Sequence, residues 1–492
     1  MMLDVVKTKY GYVKGVISNA GFALFKGVPY AKPPIGELRW KAPEELEPWQ
    51  GIKLCDTYGP ACMQYDRWSK ATDDICDDSN HPYIKIKNYP YPPKISEDCL
   101  YLNIYTPAQS EDDKLPVCFY IHGGGLQQWY GSDYEYCGDN FCKQGCIVVS
   151  ITYRLNVFGY FSHPDLDKEN EFNSSGNYGL LDQICALKWV YENIECFGGD
   201  KNRIMCFGQS AGGGSTLAAL CSPLNKNYIK RVSLQSSNGL TGLVEAVSKK
   251  QIQEKGIKYM RACGCDSIEE MRQLDAEYLR DKNDELFSMF DGFGLNVDGY
   301  VLENDPNDML AKGEVEDVDM IVGCTIDEGG NNKPPMFGVN LCASIIALCK
   351  KQLLNNHKPI YSYVFARVQP GDDAGVPHSC DNRYQFGSLD GCWRPYEEKD
   401  YELSHKMNKY WSNFAKYGNP NGEGLEVWEP YTKDKPLQIK LDINRCEMHD
   451  FNIDTSGNIE IVSNELLKKY GRWFKCLSCY LSTQKMDGGQ QS

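Results

Sequence analysis

The chain has 492 residues, of which 42% are hydrophobic and 24% charged, and this composition excludes a disordered or fibrous protein. Its formal net charge of −15, without a compensating basic block, argues against partners such as nucleic acid or an anionic membrane surface. The 22 cysteines are scattered, at a density well below that of a disulfide scaffold, and lack paired zinc-ligand spacing. We therefore expect a globular protein with reduced thiols and no metal site.

The first fifteen residues alternate apolar and polar side chains, as in a strand that already belongs to the fold. A basic segment followed by an apolar run, the mark of a secretory leader, is not seen there. The longest later apolar stretch, residues 342–349, is too short to cross a bilayer. These features predict a cytoplasmic protein, or a secreted one if the chain has been processed.

Along the chain, short apolar runs rich in β-branched or aromatic residues alternate with longer segments of helical period. The predicted strands are residues 117–122, 146–152, 204–207, 232–235, 320–322 and 360–365. The predicted helices are residues 180–196, 211–221, 251–262, 267–279 and 399–417. This alternation predicts an α/β fold, in which helices cover both faces of a largely parallel sheet. We expect one domain over residues 1–480, followed by a polar tail at 481–492.

The first predicted strand ends at His122 and runs into three glycines, Gly123, Gly124 and Gly125. Consecutive glycines let backbone N–H groups approach a carbonyl oxygen closely, as in the oxyanion loops of esterases and lipases. We assign the oxyanion donors to Gly124, Gly125 and Ala211. A phosphate-binding loop is the alternative, but the Gly-Lys-Ser/Thr that it requires is absent. His122 lies on the strand side of the glycines, which favours a role in holding the loop over a role as base.

Residues 208–212 read Gly-Gln-Ser-Ala-Gly and lie between a predicted strand and the predicted helix 211–221. A serine on such a tight strand-to-helix turn projects its hydroxyl into a site, and the flanking glycines remove Cβ clashes. The helix N-terminus adds partial positive charge where an oxyanion would form. The motif alone is weak, but its position between a strand and a helix makes Ser210 the candidate nucleophile.

When the nucleophilic serine lies on such a strand–turn–helix segment, the acid and the histidine of the triad follow it in the sequence, in that order. Four histidines follow Ser210: His357, His378, His405 and His449. His378 lies in a loop after the predicted strand 360–365, a suitable place for a base, whereas His405 lies within a predicted amphipathic helix. Two adjacent carboxylates, Asp327 and Glu328, follow the predicted strand 320–322 and are candidates for the acid.

Taken together, these motifs resemble the type-B carboxylesterase/cholinesterase family over most of the chain. Beside the serine motif, four segments are similar to the signatures of this family: residues 25–36, 96–103, 177–183 and 411–421. The resemblance implies an α/β-hydrolase fold of the bacterial carboxylesterase type. It also implies that Glu328 rather than Asp327 is the acid, that His378 is the base, and that Ser236 lies near the histidine.

The resemblance further implies two structural ion pairs, Arg39 with Glu97 and Arg154 with Asp182. It relates Cys62 and Cys99 to the first disulfide of the family, without deciding whether they are bonded here.

Departures from the family pattern argue against a cholinesterase. Gln209, which we expect to support the catalytic residues, stands beside the nucleophile where cholinesterases carry a glutamate, and residues 70–94 contain no tryptophan for a choline platform. Only 50 residues separate Glu328 from His378, about half or less of the spacing in larger relatives. We expect the missing residues to come from helices that cover the site in larger relatives. Their loss predicts an open cleft, unless aromatic residues within 70–94 or 126–136 fold over the site.

The sequence thus predicts a carboxylesterase that forms an acyl-enzyme on small or medium carboxylic esters with broad specificity, with no cofactor. An amidase or peptidase on the same triad is the alternative, because acyl preference depends on the pocket. A non-catalytic adhesion module is a further alternative, but every triad and oxyanion position is filled. The expected partner is a small-molecule ester, and the protein is expected to be a monomer or a dimer.

Overall fold

The computed structural model describes residues 3–65, 75–76, 83–84, 93–240, 242–288, 291–328 and 338–451. Most of the segment 70–94 and the whole predicted tail at 481–492 lie outside the described residues.

A sheet of eleven strands forms the centre of the described part of the chain. In chain order they are β1 (Val16–Ile17), β2 (Ala23–Pro29), β3 (Tyr101–Thr106), β4 (Leu115–Ile121), β5 (Ile147–Ile151), β6 (Gly199–Gln209), β7 (Arg231–Gln235), β8 (Asp319–Thr325), β9 (Tyr361–Phe365), β10 (Gln438–Leu441) and β11 (Glu447–His449). Across the sheet their order is β11-β10-β9-β8-β7-β6-β4-β5-β3-β2-β1. The strands from β10 to β5 are parallel, and antiparallel strands flank them on both sides.

Twelve α-helices follow or connect these strands in the described residues. They are α1 (Asp139–Lys143), α2 (Asn156–Tyr160), α3 (Pro164–Asp167), α4 (Tyr178–Asn193), α5 (Ala211–Cys221), α6 (Lys249–Ala262), α7 (Ile268–Gln273), α8 (Ala276–Leu286), α9 (Pro306–Lys312), α10 (Gly338–Leu354), α11 (Asn382–Phe386) and α12 (Glu398–Tyr417). Among the described helices, none is both long and apolar enough to cross a membrane.

Short strands lie outside the central sheet. Val5–Lys7, Tyr12–Lys14 and Ile52–Leu54 form a three-stranded sheet, so the N-terminal alternation is part of the fold, as predicted. Three strand pairs complete the set: Ala61–Cys62 with Ile95–Ser96, Ile75–Cys76 with Tyr83–Ile84, and Val247–Ser248 with Asn296–Val297.

The two faces of the sheet carry two hydrophobic cores. Val117, Phe119 and Ile121 of β4 point into the first core, together with side chains of α4, α5 and α10. Cys118 and Tyr120 of the same strand point into the second core, with side chains of α12. Because successive side chains of a strand alternate between faces, a strand covered on both sides is apolar throughout. The predicted α/β architecture is confirmed.

The predicted helix 267–279 is wrong as a single helix. The chain forms α7 and α8 instead, and Asp275 separates them. The Asp275 carboxylate accepts hydrogen bonds from the backbone N–H groups of Glu277 and Tyr278, so it caps a new helix N-terminus. Although the apolar pattern of a helix continues across Asp275, this residue marks the boundary between α7 and α8.

Both ion pairs implied by the resemblance are present. Arg39 bonds both carboxylate oxygens of Glu97 at 2.6 Å. Arg154 bonds Asp182 through two guanidinium nitrogens, at 2.8 and 2.7 Å, and its backbone N–H bonds the same carboxylate. The Asp182 side chain is fully buried, so its charge depends on Arg154 for compensation. Cys62 and Cys99 are both buried free thiols in this structure.

We predict that Asp182→Asn lowers the free energy of unfolding by about 3–5 kcal/mol, because it leaves the buried Arg154 charge without its partner. Denaturant unfolding followed by intrinsic fluorescence measures the change. Asp165→Asn is the matched control, since Asp165 pairs with Lys168 at the surface and its loss should cost less than about 1 kcal/mol. Equal effects of the two substitutions would contradict this account of the buried pair.

Candidate active site

The turn between β6 and α5 holds Ser210 in an unusual backbone conformation. Its φ of 57° and ψ of −130° lie outside the regions that non-glycine residues favour, and such strain is typical of catalytic turns. The backbone on both sides fixes the turn, since Ser210 N–H donates to Gln235 O at 2.8 Å and Ser210 O accepts from Gly214 N–H at 3.1 Å. The half-buried serine thus lies at the N-terminus of a buried helix, as predicted.

Two glycines, one in the serine turn and one in the loop after β4, permit close packing that a side chain would prevent. A Cβ on Gly212 would lie 2.1 Å from the carbonyl oxygen of Ile121, at the end of β4. A Cβ on Gly123 would lie 3.1 Å from Cβ of Ser210. The glycine loop after β4 therefore lies directly against the nucleophile.

Glu328 and His378 meet at the carboxyl ends of β8 and β9. The buried Glu328 carboxylate accepts the Thr325 N–H at 2.9 Å through Oε1 and a very short hydrogen bond from His378 Nδ1 through Oε2. The backbone adds a further link, because His378 N–H donates to Glu328 O at 3.2 Å. Asp327 is only partly buried. The carboxylate next to the histidine is thus that of Glu328.

Opposing effects act on the charge of His378. Burial lowers the pKa of the imidazole, but the charge of Glu328, its hydrogen bond and the charge of Asp381 together outweigh it, so that the pKa is raised above its ordinary value. Since Glu328 accepts the Nδ1 proton, the neutral ring carries its lone pair on Nε2. An imidazole in this tautomer can take a proton from a serine hydroxyl through Nε2.

The side chain of Gln209 contacts Nε2 of His378. The Gln209 side-chain nitrogen lies 3.1 Å from this atom, and Gln209 is the residue immediately before Ser210. Among the hydrogen bonds of the described residues, none joins the Ser210 hydroxyl to His378. The structure thus places the His378 ring beside the serine turn. The Gln209 amide contacts Nε2, the nitrogen that we expect to face the serine hydroxyl. Sequence reasoning assigned Gln209 only a supporting place and missed this contact.

Gly124 and Gly125, the predicted oxyanion residues, both adopt positive φ angles. The φ values are 98° at Gly124 and 66° at Gly125, a region that side chains disfavour. Within the described part of the chain, no hydrogen bond uses the N–H of either glycine as donor. These groups, with Ala211 at the first position of α5, are available to a ligand oxygen next to Ser210.

His122 anchors this loop. Its Nδ1 lies 2.9 Å from Gly123 O, and Tyr153 donates its hydroxyl hydrogen to His122 O at 2.9 Å. The two rings stack with centroids 4.4 Å apart. Burial lowers the pKa of His122 to about 4, so the ring is neutral near pH 7. These contacts support the predicted structural role of His122.

Two further polar residues lie at the same edge of the sheet. Ser236 is fully buried, and its N–H donates to Gly323 O at 2.8 Å, but its hydroxyl has no hydrogen-bond partner within the described residues. The structure thus places Ser236 between β7 and β8 without a hydrogen bond to His378. Asp381 is also fully buried and accepts the Tyr363 hydroxyl hydrogen at 2.8 Å. Burial raises the pKa of Asp381 to about 6.

The aromatic stretch 126–136 packs against the oxyanion loop. Trp129 and Tyr130 are buried and stack on each other, and a Cβ on Gly124 would lie 3.1 Å from Cβ of Trp129. The other segment predicted to cover the site falls mostly within residues that are not described, as do residues 329–337 after the acid. Among the described residues, no group of three or more His, Cys, Asp or Glu side chains could hold a metal ion.

Comparison with known proteins identifies the family. Residues 3–341 and 336–456 match the model of the carboxylesterase family. The chain is 32% identical to carboxylesterase 1C of Rattus norvegicus, over 88% of this chain and 89% of the relative. It is 30% identical to the para-nitrobenzyl esterase of Bacillus subtilis, over 90% of this chain and 95% of the relative. A solved structure of a PNB esterase superposes with a TM-score of 0.80 at 27% identity, covering 93% of this chain and 99% of that one.

The chain therefore belongs to the carboxylesterase family and has the α/β-hydrolase fold, as the sequence predicts. Ester hydrolysis as the activity is confirmed at the level of the family.

We predict that Glu328→Gln lowers kcat for a p-nitrophenyl ester by several orders of magnitude, because the imidazole loses the carboxylate that fixes its tautomer. The substitution also removes the charge of Glu328, the largest of the interactions that raise the pKa of His378. The acid limb of kcat/KM, where activity rises with pH as the ring loses its proton, should therefore move to lower pH in any residual activity. Asp327→Asn is the matched control and should lower kcat only slightly. The reverse ranking would reject Glu328 as the acid.

Proposed function

We propose that this protein hydrolyses carboxylic esters through an acyl-enzyme formed on Ser210, with His378 as the base and Glu328 as the acid. The observation that carries the proposal is the hydrogen bond between Glu328 and His378, which orients Nε2 toward the serine turn. The strained turn and the glycine loop packed against Ser210 support it.

In the proposed mechanism, Ser210 Oγ attacks the ester carbonyl carbon while its proton passes to His378 Nε2. The Ser210 hydroxyl must first replace Gln209 as the partner of this nitrogen. Glu328 stabilises the imidazolium that results. The oxyanion accepts hydrogen bonds from the N–H groups of Gly124, Gly125 and Ala211, which are oriented before the reaction begins.

The tetrahedral intermediate then collapses. His378 gives its proton to the leaving alcohol, and the acyl group stays on Ser210 as an ester. A water molecule loses a proton to His378 and attacks this second ester, and collapse of the new intermediate releases the carboxylic acid and restores Ser210. Every proton transfer in this sequence passes through Nε2.

The substrates proposed are small to medium carboxylic esters of broad range. Relatives support this breadth, since they include a para-nitrobenzyl esterase of Bacillus subtilis and a medium-chain fatty acyl-CoA hydrolase precursor of Anas platyrhynchos. These names favour an ester or thioester bond over an amide as the scissile group. The filled triad likewise argues against a purely adhesive role.

We predict that Ser210→Ala lowers kcat for p-nitrophenyl acetate by several orders of magnitude while leaving the fold intact. His378→Ala should have a similar effect. Because the residues act as a unit, the double variant should lose little more than either single one. Matched p-nitroanilides, assayed in parallel on the wild-type protein, should turn over far more slowly than the esters.

Thermal unfolding of each variant, followed by circular dichroism, separates loss of chemistry from loss of fold. Wild-type turnover in a folded Ser210→Ala variant would falsify the proposed nucleophile. Additive losses in the double variant would show that the two residues do not act in one step.

A further inference from the structure

Gln209 makes a contact that the proposed mechanism does not need. Its side chain is 3% exposed, and its amide nitrogen lies 3.1 Å from Nε2 of His378. A Cβ on Gly123 would lie 3.3 Å from Oε1 of Gln209 and 2.7 Å from its backbone oxygen. The loop after β4 thus packs closely against the amide oxygen, while the amide nitrogen contacts the imidazole.

The chemistry of the three groups determines which protonation state this contact favours. The ionised Glu328 carboxylate can only accept a hydrogen bond, so the proton between it and the ring belongs to Nδ1. The amide nitrogen of Gln209 can only donate, so it pairs with an Nε2 that carries a lone pair. Protonation of Nε2 would bring two donors face to face. The arrangement therefore favours the neutral ring over the imidazolium.

The other groups around His378 act in the opposite direction. Glu328, after β8, and Asp381, at the start of α11, both favour the charged ring through their negative charges. Tyr363 of β9 donates its hydroxyl hydrogen to Asp381. Burial raises the pKa of the Cys380 thiol, and a hydrogen bond with Cys342 together with burial raises that of Cys324, so both thiols are uncharged near neutral pH. The amide of Gln209 opposes protonation of the ring through its direct contact with Nε2.

We propose that Gln209 is a positioning residue that holds His378 as the neutral, Nδ1-protonated tautomer with its Nε2 lone pair directed to the serine turn. This inference rests on the proposed function, in which that lone pair accepts the serine proton once the Ser210 hydroxyl has replaced the amide. Its consequence is a base that remains active at lower pH than it would with a carboxylate at position 209. A carboxylate there would accept a hydrogen bond from Nε2–H and so stabilise the imidazolium.

The test is an NMR titration of the imidazole nitrogens in protein labelled with ¹⁵N-histidine, because it reports on the ring without any turnover. The His378 signals are assigned by their loss in His378→Gln. In the wild-type protein above the titration midpoint, the shifts should show a protonated Nδ1 and an unprotonated Nε2. This first result needs no variant at position 209. An Nε2–H tautomer would overturn the inference.

Two variants then measure the effect on the pKa of His378. Gln209→Met keeps the length of the side chain but removes the donor, and should raise the titration midpoint by about half a unit to one unit. Gln209→Glu should raise it by more than about one unit. Gln109→Glu is the matched control, since it adds the same charge at an exposed site that contacts Asp113, and should leave the midpoint unchanged.

An unchanged midpoint in Gln209→Met would mean that the amide rotates to accept from Nε2–H, and would overturn the inference. A lowered midpoint in either Gln209 variant would do the same. The acid limb of kcat/KM should move by the same amount as the NMR midpoint. If the predicted NMR shifts occurred in a protein whose Ser210→Ala variant kept full turnover, the proposed function would fail while the assignment of the ring stood.

Discussion

The active site depends on the parallel register of β6, β7, β8 and β9. Parallel strands bring their carboxyl ends to one edge of the sheet, where residues far apart in sequence can meet. Backbone hydrogen bonds continue this register beyond the strands, from Ser210 to Gln235 and from Ser236 to Gly323, each at 2.8 Å. The bond from His378 N–H to Glu328 O extends the series to the base. A shift of one strand by one residue would separate the acid, the base and the nucleophile.

Two histidines at this edge show how local partners determine the role of the same side chain. His122 is buried with a backbone carbonyl as its Nδ1 partner, and burial lowers its pKa to about 4. His378 has the buried carboxylate of Glu328 as its Nδ1 partner, and its pKa is raised despite burial. A neutral carbonyl cannot offset the loss of solvation of an imidazolium, whereas a carboxylate can. The first histidine therefore supports the loop, and the second is suited to carry a proton.

Sequence reasoning predicted the features that depend on local pattern. The helix after the serine begins and ends as expected, at Ala211 and Cys221, because the glycine turn around Ser210 marks its start and its residues form a continuous small and apolar run. Helix α10 was not predicted, because the apolar stretch within it, residues 342–349, is a short run that periodicity alone does not assign to a helix or a strand. The contact between Gln209 and His378 was also missed. It joins residues 169 positions apart, and no local signal in the sequence encodes the direction of a side-chain amide.

The most direct test of the account is to locate the covalent intermediate. A p-nitrophenyl phosphonate that reacts with activated serines should release one equivalent of p-nitrophenol per chain and inactivate the enzyme. Mass spectrometry of the digested protein should then place the adduct on the peptide that contains Ser210, and Ser210→Ala should remain unlabelled. An adduct on any other residue, with the Ser210 peptide unmodified in the inactivated protein, would contradict the central claim that Ser210 is the nucleophile.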